Sequence, residues 1–163
     1  MKKLKTILLA GVLTAGVFST AVFTSCNSDA CADVVCSNGG SCVDGTCACP
    51  TGFEGAKCET LSRDKFIGVF NGAETCTQGT DNYAVTITTN SDKTKFNIQN
   101  LYNNTPTLTA IASANGNAFS IPSQTVGAGV TASGSGTING NTITITYTVS
   151  GGATNTCTFI GNK

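Results

Sequence analysis

The chain contains no histidine and no tryptophan, and only 11% of its 163 residues are charged. Without histidine the Ser/His/Asp and Cys/His nucleophile systems are excluded, together with nearly all catalytic zinc designs. Basic charge is scarce where it would matter. Three of the nine Lys and Arg residues, Lys2, Lys3 and Lys5, stand in the first five positions. Beyond them six basic residues face nine acidic ones, a net charge of 6 − 9 = −3, so the chain offers no basic footprint for nucleic acid. At about 100–200 residues per domain, the length allows one ordinary domain or a small module beside a medium one.

What the chain has in excess is cysteine, nine in all. A reducing cytosol tolerates so many only when they hold metal. All-cysteine metal sites use paired C-x-x-C spacing, whereas the closest pair here is Cys47-Ala48-Cys49. Disulfides in an oxidising compartment are therefore expected, and the odd total leaves one sulfur over.

Met1-Lys2-Lys3-Leu4-Lys5 leads into an apolar run from Ile7 to Phe23, with no acidic residue before Asp29. That order of a basic head and an apolar body is a secretory signal, placed at residues 1–25. The alternative is a retained membrane span. The run is short for one, is diluted with Gly, Thr and Ser, and has no stop-transfer charges behind it. It ends Phe23-Thr24-Ser25-Cys26. These residues resemble the bacterial lipobox, which implies that Cys26 is acylated and becomes residue one after cleavage. The other eight cysteines then divide into six plus two, with 26–30 as the anchor linker.

Residues 31–58 hold six cysteines: Cys31, Cys36, Cys42, Cys47, Cys49 and Cys58. So short a segment cannot bury a sufficient core and needs staples. Between them lie turn sequences, Ser37-Asn38-Gly39-Gly40, Asp44-Gly45 and Pro50-Thr51-Gly52. Six cysteines allow fifteen connectivities. The spacing C-x4-C-x5-C-x4-C-x-C-x8-C and the stretch Cys49-Pro50-Thr51-Gly52-Phe53 resemble an epidermal growth factor (EGF)-like domain. That resemblance implies the pairs Cys31–Cys42, Cys36–Cys47 and Cys49–Cys58. Some members bind calcium just before the first cysteine. Here that stretch is Asn27-Ser28-Asp29-Ala30, too poor in oxygen ligands for a cation wanting six to eight, so no calcium is expected.

Glu59 to Lys65 is polar and reads as a linker, 59–65. Residues 66–163 then become threonine-rich. In Thr142-Ile143-Thr144-Ile145-Thr146-Tyr147-Thr148-Val149, apolar and hydroxyl residues alternate, as they do in Tyr83-Ala84-Val85-Thr86-Ile87-Thr88. Period two with β-branched residues means half-buried antiparallel strands. Asn115-Gly116-Asn117 and Asn139-Gly140-Asn141 are hairpin signals. Eight strands are expected, near 66–76, 83–90, 94–102, 107–114, 118–125, 129–138, 142–150 and 154–161. Cys76 falls in the first and Cys157 in the last. In an up-and-down barrel these strands are neighbours, and a Cys76–Cys157 bond would close the cylinder. Two free buried thiols are the alternative. Strand number, meander order and the opening Lys65-Phe66-Ile67-Gly68-Val69-Phe70 resemble the small lipocalin-like barrels of Bacteroidetes-type lipoproteins. The fold class is thus mainly β: a disulfide-rich EGF-like module followed by an antiparallel eight-stranded barrel, with a β-sandwich as the alternative.

Catalytic chemistry is thin. Glu74 and Asp81 could serve as a glycosidase-type pair, but their place among turn residues reads as solvated loop charge. The Ser133-Gly134-Ser135-Gly136 run precedes no lysine motif and no helix, so a phosphate loop is excluded. Phe96, Ile98, Leu101, Tyr102, Phe119, Ile121, Ile143, Ile145, Tyr147 and Phe159 form the expected interior, as packed core or as an apolar cavity. The expectation is a non-enzymatic lipoprotein of the bacterial cell envelope, placed at the outer membrane and facing the periplasm or the surface. It would need no cofactor or metal, and its partners would be the membrane and a protein or glycan at the cell surface. A small apolar-ligand carrier is the alternative.

Overall fold

The computed structural model describes residues 30–103, 109–127 and 129–163. The expected signal segment, the expected lipidation site Cys26 and the Asn27–Asp29 stretch considered for calcium lie outside the described residues.

The first unit is built on sulfur. Hairpin β1 (Ser41–Val43) and β2 (Thr46–Ala48) is followed by β3 (Phe53–Glu54), which pairs with β4 (Thr60–Leu61). Disulfides join Cys31 to Cys42, Cys36 to Cys47 and Cys49 to Cys58. This is the pairing that the EGF resemblance implies. The hairpin turn uses Asp44 and Gly45, both at positive φ, where a side chain that can bond its own backbone and a residue without Cβ cost least.

The second unit is a closed, antiparallel, eight-stranded up-and-down barrel. Its strands are β5 (Gly68–Cys76), β6 (Gly79–Thr89), β7 (Lys95–Gln99), β8 (Thr109–Asn115), β9 (Ala118–Gly127), β10 (Val130–Asn139), β11 (Thr142–Ser150) and β12 (Thr154–Asn162). Each strand pairs with its sequence neighbours, and β12 pairs with β5 to close the cylinder. With both edges joined, a sandwich is excluded. Cys157 lies opposite Cys76 in the closing ladder, and the two are bonded.

Both Asn-Gly-Asn segments make hairpins, with the glycine in the first loop position at φ +57 in each. A II′ turn needs positive φ there, and its twist matches that of the strands. Where β5 meets β12 the backbones leave no room for a side chain: a Cβ on Gly72 would stand 2.1 Å from the carbonyl oxygen of Ile160.

Alternation decides which side chains enter the barrel. On β11, Ile143, Ile145, Tyr147 and Val149 are buried, and the threonines between them point outward. Strands β8 and β10 turn in small residues, including Ala110, Ala112, Ala114, Ala132 and Gly136, and this makes room for rings. Phe66, Phe96 and Phe119 fill that room as a three-ring cluster with centroids 5.1–5.2 Å apart. Of the expected interior, Tyr102 alone is half-buried rather than buried.

Phe66 itself comes from a 3-10 helix, Ser62–Phe66, that plugs the end of the barrel facing the disulfide module. The polar stretch 59–65 is thereby ordered, with β4 in its first half and the plug in its second. Arg63 donates from Nη1 to the carbonyl oxygens of Asn90 (2.6 Å), Asp92 (2.7 Å) and Lys95 (3.1 Å) in the β6–β7 turn. Lys65 bridges Glu54 of the module (2.9 Å) and Asn117 of the barrel (2.7 Å). The C-terminal Lys163 donates to the carbonyl of Lys65 at 2.8 Å. This plugged end is the near end, and the opposite one is the far end.

Candidate functional site

The far end is built from the last inward positions of the strands that reach it. On β5 the inward series runs Phe70, Gly72, Glu74, and on β6 it runs Ile87, Val85, Tyr83, Asp81. Glu74 is therefore no solvated loop charge: it is 3% exposed and sits at the floor of the mouth. Burying a carboxylate is costly unless hydrogen bonds replace its water. Tyr83 donates to Glu74 Oε1 at 2.6 Å, and Tyr147 donates to the same oxygen. Among the described residues Oε2 receives no hydrogen bond.

A wider network holds this group. The Tyr102 backbone N–H donates to Tyr83 Oη at 3.2 Å, and Asn155, itself buried, donates to Tyr102 Oη at 2.8 Å. Thr77 donates to Asn155 Oδ1. Tyr102 holds a left-handed backbone (φ 63, ψ 32) between Asn100 and Asn103, which also have positive φ. Such strain is uncommon for an aromatic residue and clusters at functional sites. All three tyrosines of the chain thus meet at one mouth.

The phenols respond electrostatically. Burial, followed by the hydrogen bond to Glu74, pushes the Tyr83 phenol pKa well above its ordinary value. Tyr147 is pushed up further by burial, by the neighbouring Tyr83 and by Glu74. In each case a negative oxygen would be forming next to a carboxylate in a poorly solvated place.

A cavity of about 310 Å³ opens over Glu74, walled by Asp81, Tyr102, Asn103, Asn155, Gln78 and the Cys76 sulfur among others. A second one, of about 200 Å³, lies on the other side of Tyr102 and Asn155, against Val130 and Val149. Glu74 and Asp81 are direct cross-strand partners. Asp81 accepts from Asn103 Nδ2 at Oδ2 and from the Asn82 N–H at Oδ1 (2.8 Å). Their alternation in sequence, two inward positions beyond Phe70 and Val85 respectively, was the signal available for placing this pair inside the mouth. The carboxylate of Glu74 and the sulfurs of Cys76 and Cys157 lie within 4.8 Å of one another. Those sulfurs are bonded to each other, so they are not thiolate ligands for a metal.

No helix among the described residues is long and apolar enough to cross a membrane. The barrel also reverses the pattern of a membrane barrel, with apolar side chains inward and threonines outward on β11 and β12. Basic charge is confined to one end of the barrel, where Asp92 pairs with Lys95. The basic residues of 66–163 are Lys93, Lys95 and Lys163, all at the near end, whereas the far mouth carries Glu74 and Asp81. The chain matches no protein-family model, and no curated protein or solved structure is significantly similar to it.

Proposed function

We propose that this is an exported, lipid-anchored binding protein of the cell envelope, and that the far mouth of the barrel is its ligand site. The observation that carries the proposal is Glu74: a carboxylate 3% exposed, with one oxygen that receives no hydrogen bond among the described residues, at the floor of a 310 Å³ cavity. A structural barrel gains nothing from such a group, since a well-packed apolar residue would cost less. The cavity is near the lower end of the range for small-molecule sites. Its polar walls favour a small polar ligand over an apolar one.

The module fits the role of a stapled spacer. Four residues separate Cys26 from Cys31, so an acylated Cys26 would hold the module against the lipid surface. Arg63 and Lys65 then couple it to the near end, and the mouth would face away from the membrane. Four disulfides support an oxidising compartment.

Native mass spectrometry of the protein extracted from its host in mild detergent tests this reading. The expected mass is that of residues 26–163 plus acyl chains, less 4 × 2 = 8 hydrogens for the four disulfides. A small bound species should be lost on denaturation. An unacylated chain would defeat the anchor, and an empty protein that binds nothing from an envelope extract would defeat the ligand site.

One observation favours a second reading. Glu74 and Asp81 share a cavity as cross-strand partners, and paired carboxylates at short separation are the machinery of retaining glycoside hydrolysis. Release of nitrophenol from aryl glycosides, abolished by Glu74→Gln, would establish it.

A further inference from the structure

Resting on the mouth as a ligand site, we infer that its ligand is a small organic cation, a primary or quaternary ammonium group seated between Glu74 and Asp81 against the ring of Tyr102. Three independent features converge on this.

The first is uncompensated charge. Two carboxylates line the cavity, and the donors that reach Glu74 are neutral phenols. No lysine or arginine lines the cavity among its described residues. Lys93, Lys95 and Lys163 sit at the opposite end of the barrel. A ligand bringing positive charge gains the interaction that the protein itself withholds. Beside Glu74, which is itself 3% exposed, that gain exceeds its value in water.

The second is the free acceptor. Oε1 of Glu74 is filled by two phenol donors, whereas Oε2 has no protein partner among the described residues. The donors on Oε1 fix the carboxylate's orientation, so the remaining lone pairs are positioned for an N–H donor or for a charged alkylammonium face.

The third is the aromatic wall. Tyr102 is held in a left-handed backbone by its own N–H on Tyr83 and by Asn155 on its hydroxyl. Ring faces attract cations, and a pre-positioned ring loses little entropy on binding.

A bare metal ion fits less well. A hard cation wants six to eight oxygens at short range. Asp81 has both oxygens engaged by donors, and 310 Å³ is far larger than an ion needs. An anion would meet two carboxylates, and a neutral sugar would leave their charge unanswered.

Tyrosine fluorescence reads this mouth selectively, because the chain has no tryptophan and all three of its tyrosines are there. The full chain in detergent is titrated with choline, cadaverine and spermidine, then with glucose, acetate and calcium chloride as controls. The expected result is a saturable change with at least one of the amines and none with the controls. Affinity should fall at least about tenfold in Glu74→Gln, since truncating one member of a buried charge pair is costly. Asp81→Asn, at an exposed position, keeps the test valid if Glu74→Gln fails to fold, and should weaken binding severalfold. Asp92→Asn at the near end should leave it unchanged. Saturation by glucose or acetate without amine binding would overturn the cation and leave the ligand site standing. Calcium binding alone would overturn it in favour of a metal. Silence with every probe overturns the cation. The ligand site falls separately, if the native protein also carries nothing.

Discussion

Replacing both cysteines of the barrel bond, Cys76→Ala with Cys157→Ala, isolates a term that reducing agents cannot, because reductant would also open the three bridges of the module. The bond spans 81 residues. In the chain-entropy model, −2.1 − 1.5R ln n with n = 81 gives about 15 cal/mol/K, or about 4.5 kcal/mol at 25 °C. That is a large share of the 5–15 kcal/mol typical of a whole domain. The native state should survive the change. Strands β12 and β5 keep the backbone ladder from Asn71–Asn162 to Thr75–Thr158, so the barrel stays closed while its unfolded chain is released. Urea unfolding followed by tyrosine fluorescence measures it, since every tyrosine lies in the barrel. With a slope of about 2 kcal/mol/M, the midpoint should fall by about 2 M. The slope should itself rise, because the released unfolded chain is more expanded. A loss under about 1 kcal/mol would refute the reasoning. The bond would then be redundant with the ladder, and closure would owe nothing to the loop it spans.

Phe66→Ala should cost about 3–5 kcal/mol, because the residue is fully buried and its ring touches both Phe96 and Phe119; a thermal melt showing under 1 kcal/mol would mean the plug is dispensable. Arg63→Met retains the alkyl stem but removes the donor to three carbonyls, and about 2 kcal/mol should be lost in the same assay. The raised pKa values of Tyr83 and Tyr147 mean that the folded state holds their protons more tightly than the unfolded chain does. Their contribution is fully present below about pH 10, the unfolded value, and is lost as pH rises above it. Tyrosinate absorbance at 295 nm for these two should appear together with unfolding, and a folded protein in which Tyr83 and Tyr147 ionise near pH 10 would contradict this. Gly72→Ala should disrupt the β5–β12 ladder, its Cβ meeting a carbonyl oxygen at 2.1 Å, and slower proton exchange at Gly161 than in the parent protein would count against that.

Part of the architecture follows from local rules alone. Alternation in Thr142–Val149 set which face of β11 is buried, since a strand has period two whatever surrounds it. The two Asn-Gly-Asn turns set their hairpins, because few residues reach positive φ cheaply. Cysteine spacing indicated a stapled module, and the resemblance it carried supplied a pairing that spacing alone left open. The tertiary structure decided the rest. Closure of β12 on β5 required the whole meander to curl, and that alone separates a barrel from a sandwich. Whether 59–65 is loose or ordered depended on the β6–β7 turn offering carbonyls to Arg63 across about thirty residues of sequence. Glu74 is the sharpest case. Its neighbours Ala73 and Thr75 say only that a strand is near its end. Its burial comes from Tyr83, nine residues on, and Tyr147, seventy-three residues on. Tyr83 reaches it across the β5–β6 hairpin, but Tyr147, on β11, reaches it only once β12 has closed on β5, so part of the energy that makes a buried carboxylate tolerable comes from a partner that local sequence cannot see.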